Sequence, residues 1–266
     1  MTPAPPSVKV IVPRRGINDG NRGKKHALLH LAEAADTDYI WMMDDDVVPP
    51  AVSESDMGAL LLQLGSPDML ILPLKMNSGH GTLTERLQQT EYAAIQQLTI
   101  DSARRGKAVM CSGANLVVRR KCWLESYKDL HPELPSGDDM FLLQSFKRRG
   151  LRIAVADSEE LTAEVTPCPD LRSLLKQRTR WAGKSGHYTD RDILLCGAIV
   201  AGANIMQLLC PPFILIKFPC EYALIKKRDA TASLLSALLL ELLYPLYMLL
   251  CLAGGLLQSR QSGTRF

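Results

Sequence analysis

Apolar positions fall into short blocks along most of this chain and into two long ones near its end, and the two regimes predict different architecture. Val8-Lys9-Val10-Ile11-Val12 is a β-branched run closed by Pro13, which predicts a strand. After a loop at 14–22 rich in Gly, Asn and Arg, Gly23-Lys24-Lys25 opens a helix, with Ala27, Leu28, Leu31 and Ala34 as its buried stripe. Tyr39 to Met43 carries no charge and predicts a buried strand. Strand, helix, strand is a right-handed βαβ unit, and open α/β sheets bind ligands at the carboxyl ends of such strands.

The same patterning predicts an amphipathic helix around Ser55 to Leu64, a central strand from Met69 to Leu74, a turn at Gly79 to Gly81 and a long helix from Thr84 to Ser102. Between Val109 and Val118, two apolar runs flank Ser112-Gly113-Ala114-Asn115. That pattern fits either a bulge where backbone approaches a ligand or a plain hairpin bend. A helix follows from Asp138 to about Arg149, then a last pair of strands at Arg152–Ala156 and Leu161–Val165, then a helix from Pro169 to Lys184.

The long blocks are of another kind. Ile193 to Ile216 has no charged residue over 24 positions, about 36 Å as a helix and enough to span a bilayer. Pro211-Pro212 predicts a kink in it, and Ala230 to Leu257 carries only Glu241. Lys226-Lys227-Arg228, between the two, belongs in the cytosol by the positive-inside rule. That conflicts with a simple hairpin whose catalytic domain is also cytosolic. A re-entrant or interfacial course for the first stretch, with Lys217 and Glu221 at the surface, is one way to meet the conflict, and the topology of 193–258 stays open at the level of sequence.

Charge sharpens this division. Residues 1–192 hold 25 Lys and Arg against 25 Asp and Glu, so the formal +3 resides in the tail. A neutral first part argues against nucleic acid as a partner. Seven cysteines without a C-x-x-C pair fit reduced thiols better than a disulfide framework. The N-terminus lacks a basic segment followed by an apolar one, so it does not read as a signal peptide.

Candidate chemistry begins where the Tyr39 strand delivers Asp44, Asp45 and Asp46 ahead of Pro49-Pro50. Crowded carboxylates resist joint ionisation unless a cation sits among them. With extended backbone, Asp44 and Asp46 share a face, giving hard oxygen ligands for Mg2+ or Mn2+ with room for substrate phosphates. A solvated acidic turn explains the triplet equally well. Lys24, in a first helical turn, is a candidate phosphate ligand or a solvated side chain; His26 and His30, at i and i+4, lack a third metal ligand. Asp138 and Asp139 follow Gly137 at a helix start, where the helix dipole favours carboxylates and capping alone accounts for them. A metal site plus one separate carboxylate also suits displacement at an anomeric carbon, where the attacking hydroxyl needs a base and a phosphate leaving group needs a cation. Gln177, Arg180 and Trp181, at i, i+3 and i+4, share a face able to bind a phosphate and offer a flat wall to a sugar ring.

Taken in order, Asp44-Asp45-Asp46, Gly137-Asp138-Asp139 and Gln177-Arg178-Thr179-Arg180-Trp181 resemble the D-x-D, (E/D)-D and Q-x-x-R-W motifs of membrane-bound family 2 glycosyltransferases. Gly23-Lys24 with Ala27-Leu28 resembles the family's G-K-x-x-A-L helix start, and Ser112-Gly113-Ala114-Asn115 its acceptor-side glycine turn. The resemblance implies a GT-A-type, Rossmann-like α/β mixed sheet with flanking helices, a nucleotide-diphosphate sugar donor, a divalent cation, and inversion at the anomeric carbon. It implies that Asp44 contacts the nucleotide, Asp46 holds the metal, Asp139 is the base and Asp138 helps to place it. Gln177, Arg180 and Trp181 would cover the pyrophosphate and the acceptor end, with Lys24 and Gly113 also lining the substrate site.

Val8–Val12 matches what is normally the family's third strand, so the expected catalytic domain, 1–190, is truncated at its N-terminus. A membrane region at 191–258 with about two transmembrane helices and a polar tail at 259–266 complete the expected layout. The acceptor would be a lipid or polysaccharide, and the protein multi-pass in a bacterial inner or plasma membrane with its catalytic domain facing the cytosol. Two alternatives stand beside this: an impaired relative acting as a membrane scaffold or partner, and a nucleotidyl-transferring enzyme, since Gly-Asp-Asp also marks a metal-binding hairpin there.

Overall fold

The computed structural model describes residues 4–13, 23–77, 81–134 and 136–263, with side chains to 257. The expected loop at 14–22 and most of the turn at Gly79–Gly81 lie outside the described residues. In chain order the first elements are β1 (Val8–Ile11), α1 (Gly23–Ala34), β2 (Tyr39–Met42), β3 (Val47–Val48), α2 (Glu54–Gln63), β4 (Met69–Ile71), β5 (Leu74–Met76) and α3 (Leu83–Arg104). Then come β6 (Leu116–Arg119), α4 (Arg120–Ser126), α5 (Asp138–Arg148), β7 (Ile153–Val155), β8 (Ala163–Val165) and α6 (Leu171–Ala182). Three helices close the chain, α7 (Arg191–Leu209), α8 (Ile214–Arg228) and α9 (Leu234–Gly263). Two compact units result, one of Met1–Leu74 with Thr99–Val165, the other of Lys75–Leu98 with Thr166–Phe266.

The first unit is built on a five-stranded sheet in the order β1-β2-β6-β4-β7. β2, buried along its whole length, runs parallel to β1 and antiparallel to β6. β4 is antiparallel to β6 and parallel to β7, so the sheet is mixed, as expected, with β6 the reversed strand. One face packs Val8, Tyr39, Trp41, Met57, Leu61, Leu70 and Val117 into a single apolar cluster. Each such large side chain contributes about 1.5–3 kcal/mol by leaving water. Polar atoms inside this core are paired. Tyr39 Oη donates to the Pro67 carbonyl at 2.8 Å, and Trp41 Nε1 donates to Asn115 Oδ1 at 2.9 Å.

Three expectations are corrected in this unit. The strands at the end of it do not pair with each other: β7 joins β4, while β8 pairs with β3, because Val47-Val48 resumes an extended course after the acidic triplet and offers β8 a ladder. The Val109–Cys111 run forms no strand, and the turn at Gly113-Ala114 leads directly into β6. In α1 the buried positions are Lys25, Leu28 and Ala32, and Ala34 is exposed. Lys25 enters the interior because its ammonium donates to the carbonyls of Leu130 at 2.6 Å and His131 at 2.8 Å, at the end of a 3-10 turn. Helix-end carbonyls need such donors. The Phe141 ring, 5.1 Å from Nζ, completes the pocket.

In the second unit α6 lies against α9, where glycines allow main chains to meet. A Cβ on Gly255 would stand 2.6 Å from the Gly183 nitrogen, so no larger residue fits there. The 24-residue span expected from Ile193 is broken: α7 ends at Leu209, Pro211–Phe213 forms a 3-10 turn, and α8 begins afresh. Two consecutive prolines lack the N–H groups needed to continue a helix. Lys217 is not at the surface. Its ammonium donates to Asn204 Oδ1 at 3.1 Å, Gln207 Oε1 at 3.0 Å and Glu241 Oε1 at 2.6 Å, and pairs with Glu221 at 3.2 Å. Among the described residues two helical stretches, Arg191–Leu209 and Leu234–Leu257, are long and apolar enough to cross a membrane, with mean hydropathies of 1.7 and 2.0.

Candidate active site

In the first unit two of the carboxylates that the sequence singles out, Asp44 and Asp138, converge on Lys24 beyond the C-terminal end of β2. Lys24, in the first turn of α1, places Nζ 2.6 Å from Asp44 Oδ1 and 3.3 Å from Asp138 Oδ2. Asp44 lies just past β2, after Met43, and Asp138 opens α5, buried to 5% exposure. Gly137 makes that approach feasible by taking φ of 89°, a left-handed turn that suits glycine. Gly113 packs at the same point: a Cβ there would lie 3.3 Å from Asp138 Oδ2, 3.6 Å from Lys24 Nζ and 3.7 Å from Met42 Cε. Asp44, Lys24, Gly113 and Asp138 thus form one cluster drawn from four segments.

Its electrostatics follow from that crowding. Burial pulls the Lys24 ammonium down, but the charges of Asp138 and Asp44, the Asp44 hydrogen bond and the Asp139 charge outweigh it and hold the pKa above the ordinary lysine range. Lys24 is therefore a permanent counter-ion here. Asp139, half-buried, accepts the Met140 amide on Oδ1 at 2.7 Å, and its carbonyl accepts the Cys111 thiol at 3.3 Å. Burial, with Asp139 and Asp138 adding to it, pushes that thiol well above its usual range, so Cys111 is an inert neighbour and not a nucleophile.

Asp45 and Asp46 do not follow the strand geometry expected of them. The chain turns there, with the Val47 amide 3.4 Å from the Asp44 carbonyl, and both side chains are exposed. Strand alternation therefore does not decide which of the three face together. Beside them lies a hollow of about 330 Å3 lined by Val10, Val12, Met43, Asp44, Asp45, Val47 and Pro49. Among the described residues no group of three or more His, Cys, Asp or Glu converges to hold a metal, and His26 and His30 gain no third ligand. Gly137-Asp138-Asp139 opens a helix and not a hairpin, which removes the structural motive for a nucleotidyl-transfer reading.

In the second unit, Asp170 caps α6 by accepting the Ser173 amide at 2.8 Å, and the helix carries Gln177, Arg180 and Trp181. Arg180 and Trp181 are exposed and Gln177 half-buried. Sequence reasoning missed two residues. Arg178 is buried on Glu91, an ion pair 2.7 Å long. Asn115 is 1% exposed and locks three segments, accepting from Trp41 and donating from Nδ2 to the carbonyls of Pro73 and Leu161, each at 2.9 Å. The available signal for Asn115 was an amide enclosed by apolar residues, which needs buried partners.

Residues 2–184 match the model of the family described as Glycosyltransferase like family 2. The mixed α/β sheet with flanking helices thus belongs to a sugar-transferring enzyme. The chain is a member of that family and a glycosyltransferase. Among solved structures it is similar to the mannosyltransferase PcManGT from Pyrobaculum calidifontis in complex with GDP-Man and Mn2+, with a TM-score of 0.52 and 16% identity over 96% of this chain and 87% of that one. At that identity the likeness is one of fold, GT-A-like. No curated protein sequence matches the chain.

Proposed function

We propose that this glycosyltransferase transfers a sugar, with inversion, from a nucleotide-diphosphate sugar to a hydroxyl of a lipid or saccharide acceptor at a membrane. The observation that carries the reading is the Lys24 ammonium held between Asp44 and Asp138 beside Gly113. A cation fixed among carboxylates at a strand's C-terminal end is what a diphosphate would meet on entering. Asp44 contacts the nucleotide, and Lys24 exchanges a carboxylate partner for a phosphate oxygen.

The donor set fits a divalent ion shared with substrate. Asp46 and Asp44 would hold Mg2+ or Mn2+ as hard oxygen ligands, too few for a closed protein cage, which would leave the ion open to substrate oxygens. When bound, such an ion neutralises the charge that builds on the departing diphosphate. PcManGT, complexed with GDP-Man and Mn2+, supports this by analogy of fold. Asp139 takes the proton of the acceptor hydroxyl, and Asp138, fixed by Lys24, helps to place it. The family motif assigns Gln177, Arg180 and Trp181 to the pyrophosphate and the acceptor.

Membrane action is supported by exposure. Only 17% and 28% of the two apolar stretches are buried, whereas the core helix of a soluble protein is mostly buried. On this reading the two stretches hold the protein at a membrane. The test is release of nucleoside diphosphate from GDP-mannose, UDP-glucose and UDP-N-acetylglucosamine with Mn2+ and a lipid extract. Asp139→Asn should abolish transfer while leaving Mn2+-dependent donor binding intact; undiminished turnover would remove Asp139 from its role.

A further inference from the structure

Of Gln177 to Trp181 only Arg178 is buried, although the motif leaves that position unspecified. Its guanidinium makes three contacts at once. One Nη donates to Glu91 Oε2 at 2.7 Å, the other donates to Gln177 Oε1 at 2.7 Å, and Cζ lies 4.1 Å from the centroid of the Trp181 ring. Glu91, on α3, is itself 6% exposed. Burial alone would weaken the guanidinium's hold on its proton, but the charge and hydrogen bond of Glu91 raise it further, so the cation is permanent.

We propose that Arg178 is a positioning residue for the motif: anchored on Glu91, it fixes the Gln177 amide and the Trp181 indole in one geometry. This rests on the reading that Gln177 and Trp181 touch substrate. With Gln177 Oε1 committed to an N–H donor, the amide's NH2 group is the end left to donate to phosphate or sugar oxygens. With one indole face occupied by the cation, the ring is held while it remains 36% exposed, leaving surface for a sugar. Lysine at 178 would keep the charge for Glu91 but lose both the planar fork and the flat face.

The test uses the full chain in detergent micelles. Trp181 is separated from the buried Trp41 and Trp123 by acrylamide quenching, taken as the difference from Trp181→Phe. Arg178→Lys should raise quenching of Trp181 and lower turnover of GDP-mannose with Mn2+ roughly tenfold, the scale of one lost charge-assisted contact. In a Gln177→Ala/Trp181→Ala background the same change should add almost nothing, because its targets are gone. Wild-type quenching in Arg178→Lys, or a loss that multiplies in full on that background, would overturn the proposal. Should Arg178→Lys not fold, Glu91→Gln, which keeps the arginine and loosens its anchor, must raise quenching; an unchanged value there also overturns it. Full turnover in Trp181→Ala would instead refute the substrate role of the motif, and quenching would still decide the anchor.

Discussion

Lys24→Met keeps most of the side chain's packing and removes only the ammonium. At 2.6 and 3.3 Å from two carboxylates, the gross attraction is about 6 and 5 kcal/mol at an effective dielectric of about 20. Desolvation offsets most of that. Removing one partner of a fully buried pair costs about 3–5 kcal/mol and of an exposed pair about 0–1. Lys24 and Asp44 side chains are each 32% exposed while Asp138 is 6% exposed, which places the net cost between those limits. About 2 kcal/mol is expected, a fall of roughly 4–8 °C in melting temperature for a chain of this size. The assay is thermal unfolding followed by tryptophan fluorescence, with and without Mn2+. Deprived of its internal cation, the variant should recover more stability from Mn2+ than the wild type does. A melting temperature equal to wild type, or equal Mn2+ stabilisation of both proteins, would show that Lys24 is not the counter-ion of this cluster.

Three further substitutions probe the surrounding geometry. Gly113→Ala places a methyl 3.3 Å from Asp138 Oδ2; a displaced carboxylate should lower turnover strongly for about 1 kcal/mol of stability, and unaltered kinetics would contradict it. Gly255→Ala forces a Cβ to 2.6 Å from the Gly183 nitrogen and to 2.9 Å from a second main-chain atom, so a loss of about 3 kcal/mol or failure to assemble is expected by thermal unfolding in detergent. Lys217→Met leaves Glu241 buried without its cation at a cost of about 3–5 kcal/mol, and adding Glu241→Gln should restore part of it; no restoration would mean that the pair does not carry the loss.

The elements around the site were legible in the sequence where local pattern dominates. The uncharged run of β2, the amphipathic face of α2, the acidic start of α5 and the helix bearing Gln177 to Trp181 each follow from local spacing. What pattern could not supply is pairing between distant segments. Nothing local tells β7 to join β4 or β8 to join β3, since both are short apolar runs and the partner is set by three-dimensional placement. Polar residues in the interior were equally hidden. Lys217 reads as a surface charge, and Lys25 and Arg178 carry no local sign of burial, because burial of a charge depends on acceptors remote in sequence: a carboxylate at Glu241, a carbonyl at Leu130, a carboxylate at Glu91. Lys24 was visible as a candidate ligand from its place at a helix start. Its bond to Asp44 was not.

The crossing of α6 and α9 carries a mechanical consequence. Where a Gly255 hydrogen points at the Gly183 nitrogen, no side chain intervenes to cushion displacement. Main chain set against main chain resists sliding of one helix past the other, so the course of the long apolar helix bears on how α6 presents Gln177, Arg180 and Trp181.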